Sequence, residues 1–215
     1  ALPQFTTSSP TISADGRFVA FDSSATNLVP GATTALRRVY VRDRLLGTTT
    51  LVGPGSAGEL SDDGKVVAFN SFDALTVDDT NGAVDVFTTE LATGTTTRVS
   101  VATGNVQSTQ GGSAPSISAD GRFVSFESAA TDLAVGDSNG TGDVFLHDRQ
   151  TGITTRVSVG AAGAQANGQS LTAAVSTDGR IVSFTSFADN LATGDVNGAF
   201  DVFVAKYDAE GSPLW

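Results

Sequence analysis

Along most of the chain, short apolar runs alternate with polar residues and are broken by Gly, Asp, Asn and Ser. The clearest are Phe18-Val19-Ala20-Phe21, Val66-Val67-Ala68-Phe69, Phe123-Val124-Ser125-Phe126 and Ile181-Val182-Ser183-Phe184. Each is followed by a second short run: Val39-Tyr40-Val41, Val86-Phe87, Val144-Phe145-Leu146 and Val202-Phe203-Val204. Runs of this length, rich in Val, Phe, Ile and Thr and bounded by turn formers, predict β-strands. No stretch sustains apolar residues at three- and four-residue spacing, so no helix is predicted.

The runs belong to a repeat. Ser-x-Asp-Gly-Arg/Lys precedes each first run, starting at Ser13, Ser61, Ser118 and Ser176, with spacings of 48, 57 and 58 residues. Asp-Gly between apolar runs signals a hairpin, because Gly takes positive φ without steric cost. A Leu recurs at Leu28, Leu75, Leu133 and Leu191, and a Thr-rich segment at Thr95-Thr96-Thr97-Arg98-Val99-Ser100-Val101 and Ile153-Thr154-Thr155-Arg156-Val157-Ser158-Val159. Four strands in about 50 residues is the size of a propeller blade, and one blade cannot bury its own faces. The expected fold is therefore all-β: a single β-propeller domain of four four-stranded blades, near residues 10–52, 58–101, 115–159 and 173–215.

Residues 102–114 and 160–169 read as polar loops between blades. Leu2-Pro3-Gln4-Phe5 is a candidate strand to close the last blade, with Pro3 confining it to an edge. The last copy has no Thr-Thr-Arg-Val-Ser segment, and Ser212-Pro213-Leu214-Trp215 stands in its place. Three assemblies remain open: a closed four-bladed ring, an arc of a larger propeller, or two chains joined in a larger ring.

The Ser-x-Asp-Gly-Arg-x-Val-x-Phe pattern resembles the WD40-like β-propeller repeat of the TolB type, over nearly the whole chain. The variant with Gly-Asp-x-Asn-Gly-x-x-Asp-Val-Phe resembles repeats of secreted and cell-surface bacterial proteins. The resemblance implies a propeller and a secreted or surface location. It does not settle a task, because one fold hosts many functions.

Composition narrows the field. Gly makes up 24 of 215 residues and charged residues only 16%, as in a turn-rich β-protein. The net charge of −11, from 12 basic and 23 acidic residues, argues against nucleic acid and anionic membrane surfaces as partners. No apolar run is long enough to span a membrane as a helix. With no Cys, neither disulfides nor thiol chemistry is available. The first residue is Ala1 rather than Met, as in a processed or excised piece.

Three copies carry Asp-x-Asn-Gly-x-x-Asp: Asp79/Asn81/Asp85, Asp137/Asn139/Asp143 and Asp195/Asn197/Asp201. Calcium takes six to eight oxygens, and acidic residues two apart on a Gly-turned loop can share one centre. The pattern is only the second half of the EF-hand series, so further ligands are needed. Asp73, Asp132 and Asn190 lie near the shared Leu, and the Thr141 carbonyl is another candidate. Calcium is accordingly the expected cofactor, with three ions. The other reading is turn chemistry, in which the Asx side chains bond their own backbone. Blade one places Ala32, Thr34 and Arg38 at the three positions, which is what a lost metal site would look like.

The Asp of each Ser-x-Asp-Gly, namely Asp15, Asp63, Asp120 and Asp178, is expected to bond turn backbone, since it recurs in every copy. His147, the only histidine, reads as a surface residue of an outer strand. No nucleophile elbow or phosphate loop is present. The leading expectation is a non-catalytic, calcium-stabilised binding or display module with a protein or glycan ligand, monomeric or dimeric. The rivals are the propeller of a hydrolase or peptidase, and a structural spacer. Convergent acids and His in one pocket would favour the enzyme.

Overall fold

A computed structural model describes residues 7–31, 36–160 and 163–208. The candidate closing strand at residues 2–5, two of the three blade-one positions (Ala32 and Thr34) and the tail beyond Asp208 lie outside the described residues.

The described residues form no helix and fold as consecutive antiparallel sheets. The first sheet orders β1 (Thr7–Ile12), β2 (Phe18–Ser23), β3 (Arg38–Asp43) and β4 (Thr48–Pro54). The second orders β5 (Ser56–Leu60), β6 (Val66–Ser71), β7 (Asp85–Glu90) and β8 (Thr96–Arg98). After a hairpin of β9 (Val101–Ala102) and β10 (Val106–Gln107) comes the third sheet. It orders β11 (Ser113–Ile117), β12 (Phe123–Ser128), β13 (Asp143–Asp148) and β14 (Ile153–Arg156). The fourth sheet has three strands among the described residues: β15 (Ser170–Val175), β16 (Ile181–Ser186) and β17 (Asp201–Lys206).

The repeat is visible in the packing. Within each sheet an aromatic pair faces across the second and third strands. The pairs are Phe21–Tyr40, Phe69–Phe87, Phe126–Phe145 and Phe184–Phe203, with ring centroids 5.7, 6.2, 5.7 and 5.7 Å apart. Such cross-strand pairs fix register as well as burying area. Each sheet then stacks on the next. Val39 and Val41 bury against Val67 and Phe69, Val86 against Val124 and Phe126, and Val144 and Leu146 against Val182 and Phe184.

The Ser-x-Asp-Gly turn has two duties. Its Asp accepts the backbone N–H of the residue two further on, at 2.9 Å for Asp15, 3.0 Å for Asp63 and Asp120, and 3.1 Å for Asp178. The Ser hydroxyl bonds the same Asp and accepts the N–H that starts the next strand. The expected turn role is therefore observed. The second duty joins neighbours: Ala14 N–H donates to Asp62 O, Asp63 N–H to Ala119 O, and Ala119 N–H to Thr177 O. Gly64, at φ +68°, also lies where a Cβ would come within 2.5 Å of the Phe18 ring of the preceding sheet. The Gly is required by the turn and by the stacking together.

The loop expected at residues 102–114 is partly strand. β9 and β10 pair through a turn in which Asn105 takes φ 61°. Polar composition hid this hairpin, because its two-residue strands are too short to show alternation. Among the described residues no strand pairing joins the fourth sheet to the first.

Candidate functional site

Two places bring functional groups together: the acidic loops between the second and third strands, and a cleft between the first strands.

In the second sheet the loop from Asp79 to Asp85 is closed by side chains from farther along the chain. Asn81 Oδ1 accepts the Ala83 N–H, and its Nδ2 donates to Asp85 Oδ2 and to Ser108 O, each at 2.9 Å. The Ser100 hydroxyl donates to Asp85 and accepts the Val86 N–H. Asp79 meets Gln107 Nε2 at 3.3 Å and the Arg98 guanidinium at 3.2 Å. The Arg98 and Asp79 side chains are only 2% and 5% exposed. Asp78 holds the other Arg98 nitrogen at 3.0 Å.

The third sheet repeats this. Asn139 caps Thr141 N–H and donates to Ala166 O at 2.8 Å. Gln165 Nε2 lies 2.8 Å from Asp137, and Arg156 Nη1 lies 3.5 Å from it. Ser158 donates to Asp143 and accepts the Val144 N–H. Both guanidinium contacts are mainly Coulombic: Nε and Nη1 of Arg98 and Arg156 are buried without a well-aligned acceptor. Burial pushes Asp143 up to about 6 and raises Asp85 as well.

The fourth loop has the same residues and fewer partners. Asn197 caps Ala199 N–H at 2.8 Å and donates to Asp201 at 2.9 Å. Among the described residues no Arg, Ser or Gln reaches Asp195 or Asp201.

The further candidate ligands do not complete their own loops. Asp132 accepts Ser108 Oγ at 3.1 Å and Thr109 N–H at 2.9 Å, and Asn190 bonds Asn167 N–H and Gln165 O. Each braces the linker that covers the preceding sheet's loop. Asp73 accepts no bond among these groups; its N–H is capped by Ser71. Thr141 Oγ1 and Asp143 Oδ2 are buried without a partner. Calcium needs six to eight oxygens. Most oxygens of the second and third loops face protein donors, and a guanidinium already stands beside the first Asp. Among the described residues no three acidic, His or Cys side chains are grouped to hold a metal. The donor set of these two loops thus fits an arginine better than a calcium ion.

The sequence reading missed Arg98, Arg156, Ser100, Ser158, Gln107 and Gln165. A signal was present: Arg-Val-Ser recurs in the Thr-rich segments of the two copies where the loop is best covered. His147 is corrected. It is buried rather than on the surface, with Nδ1 2.9 Å from Thr154 Oγ1, and burial pushes it down to about 4.

The second place is a cleft of about 360 Å³ lined by Thr11, Gly58, Glu59, Glu127, Thr172 and their neighbours. These residues come from the first strands of all four sheets, except Glu127, which lies on β12. Each first strand carries a register shift at the same point, and Ala114 and Thr172 there take φ 51° and 56°. Left-handed backbone at non-glycine residues is strained, and such strain concentrates at functional sites. Glu59 accepts Ile117 N–H at 3.0 Å and Glu127 accepts Thr172 N–H at 2.6 Å, each reaching the next sheet. Burial raises both carboxyls. No His lines this cleft.

No protein-family model matches this sequence, and no curated protein matches it. Solved structures do match in fold. TolB from Acinetobacter baumannii is 18% identical, covering 96% of this chain and 42% of its own, with a TM-score of 0.54. A putative TolB from Agrobacterium tumefaciens is 19% identical, covering 94% and 61%, at 0.56. The β-propeller domain of the Trilobed protease from Pyrococcus furiosus, described as having an open velcro topology, is 9% identical, covering 98% and 57%, at 0.56. The fold is that of a β-propeller of the TolB kind, and the chain spans less than two thirds of each of these structures.

Proposed function

We propose that this chain is a non-catalytic propeller module, secreted or at the cell surface, that binds a protein or glycan ligand in the cleft between the first strands. The observation that supports this is the cleft itself, lined from every sheet: it holds two partly buried carboxylates, Glu59 and Glu127, and strained backbone at Ala114 and Thr172, with no His beside them. Carboxylates suit hydroxyl-rich or cationic ligands, and the net charge of −11 favours cationic ones. The test is a glycan and peptide binding screen on the chain and on its Glu59→Gln/Glu127→Gln form. A hit lost in the double variant supports the reading; a hit unchanged by it places the ligand elsewhere.

Calcium stabilisation is part of the same proposal in an altered form. Arg98 and Arg156 supply the positive charge of the second and third loops, which leaves calcium only the fourth. Thermal unfolding with and without calcium after chelation decides this. One site at 100 times its Kd adds about 2.7 kcal/mol, a rise of roughly 5–10 °C at this size. Full stabilisation that vanishes in Asp195→Asn would confine the ion to the fourth loop; stabilisation that vanishes in Asp137→Asn would restore the original calcium reading.

A second reading, the propeller of a peptidase, has one observation in its favour: peptidase propellers are among the similar folds. Hydrolysis of peptide substrates by the purified chain, abolished by Glu59→Gln, would establish it in place of the binding module.

A further inference from the structure

The second and third sheets each turn a buried arginine towards the acidic loop before it, and the two arginines are not equally neutralised. Arg98 lies 3.2 Å from Asp79 through Nη1, while its Nη2 meets both the carbonyl and the carboxylate of Asp78, at 3.2 and 3.0 Å. In the third sheet Gly136 stands where the second has Asp78. Arg156 Nη2 keeps only the carbonyl of Gly136, at 3.4 Å, and its Nη1 lies 3.5 Å from Asp137. The turns themselves match, since Asp79 N–H donates to Thr76 O and Asp137 N–H to Ala134 O. The third sheet thus has one carboxylate fewer about the same cation.

The consequence is a buried cation short of acceptors. The Arg156 side chain is only 7% exposed, and its Nε and Nη1 have no hydrogen-bond partner. It lines a cavity of about 520 Å³ between β9, β14 and the loop after β12. Ala102, Leu133, Ala134 and Val159 give this cavity apolar walls. The one acid in the lining, Asp132, has its two oxygens engaged by Ser108 Oγ and Thr109 N–H. A buried charge with too few partners is costly, so a ligand that brings oxygens to it is favoured.

We propose that this cavity binds a carboxylate carried on a small aliphatic body, its oxygens on Arg156 in the place that Asp78 takes beside Arg98. Guanidinium–carboxylate pairs are charge-assisted and directional, and stronger than neutral hydrogen bonds. The net charge of −11 does not oppose this at short range, because exposed charges farther than about 8–10 Å are largely screened. The second sheet holds two carboxylates beside one guanidinium in just this arrangement. The site is separate from the cleft between the first strands and stands whether or not that cleft binds a ligand.

The probe is butyrate, exchanged for chloride at constant ionic strength. Binding to the 215-residue chain is followed by the Arg156 Nε–H signal and the backbone amides of residues 133–135 in proton–nitrogen correlation spectra. Saturation with a Kd below about 10 mM is expected. Butyramide, which lacks the charge, should bind at least about tenfold more weakly. Gly136→Asp returns an acid to the position that Asp78 holds in the second sheet. Gly136 takes φ +80°, which Asp adopts more readily than most side chains, and nothing lies within 4 Å of a Cβ built there. This variant should weaken butyrate at least about tenfold, by supplying the carboxylate from within. Asp137→Asn/Arg156→Ala removes the cation together with the acid it faces, and should abolish binding while the dispersed amide spectrum shows the chain still folded. Shifts that stay linear up to about 100 mM, butyramide binding as tightly as butyrate, or unchanged binding in either variant would each overturn the proposal.

Discussion

The loops of the third and fourth sheets are written almost alike, as Asp137-Ser138-Asn139-Gly140 and Asp195-Val196-Asn197-Gly198, yet their surroundings differ. In the third, Arg156, Ser158 and Gln165 close on the two acids, and the loop is part of the packed sheet. In the fourth, only the Asn cap and its bond to Asp201 remain among the described residues. The comparison separates two layers of meaning in one motif. The Asn-Gly turn is local and forms wherever the sequence occurs. The role of the acids is not local: it depends on a strand about 15–20 residues further on, and the same Asp is buried beside a cation in one sheet and half-buried without one, among the described residues, in the other.

The largest effect that tests this contrast is at Arg156. Arg156→Ala leaves Asp137 buried beside Asp143 without its cation, and should cost about 3–5 kcal/mol in urea unfolding. A cost below about 1 kcal/mol would show that the guanidinium is dispensable. Ser158→Ala comes next. It strips the hydroxyl from Asp143 and from the Val144 N–H, for an expected loss of about 1–3 kcal/mol.

A third prediction uses pH and a group that the fourth sheet lacks, since Ala205 stands where the third has His147. His147 is held at about 4, below its ordinary 6.5, so the unfolded chain binds the extra proton first. Stability should fall as pH drops from about 6.5 towards 4, by up to about 1.4 kcal/mol per pH unit. His147→Gln should remove that slope. Asp143 acts in the opposite sense. Raised to about 6, it favours the folded state below pH 3.8, and this contribution is lost as pH rises through about 6. Asp143→Asn should therefore gain on the parent protein above pH 6. The smallest effect is expected in the fourth loop, where Asp195 is half-buried with no guanidinium beside it among the described residues: in chelator, Asp195→Asn should change stability by no more than about 0.5 kcal/mol.

Much of the fold was legible because strand, turn and stacking signals coincide in this repeat. Phe-Val-Ser-Phe at residues 123–126 carries the alternation, and Asp120-Gly121 the hairpin that precedes it. The Ser-x-Asp bonds followed from the chemistry of Asx turns. What was hidden was non-local. Arg98 and Arg156 read as ordinary strand residues, since nothing in a strand's alternation says that a guanidinium will turn towards a loop 20 residues back. His147 was misplaced for a related reason: its neighbours alternate like an edge strand, but β13 is flanked by β12 and β14, and the ring meets Thr154, which itself donates to Val101 O of the preceding hairpin. Gln107 and Gln165 sit in segments whose polarity reads as loop, although both reach back to an Asp.

The central claim is that this chain's own arginine supplies the positive charge for the acidic loop. A double-mutant cycle on Asp137→Asn and Arg156→Ala, followed by urea unfolding in chelator, tests it most directly. A coupling of about 1–3 kcal/mol, with the double variant more stable than Arg156→Ala alone, is the predicted result. Additive losses, with no coupling between the two side chains, would contradict it.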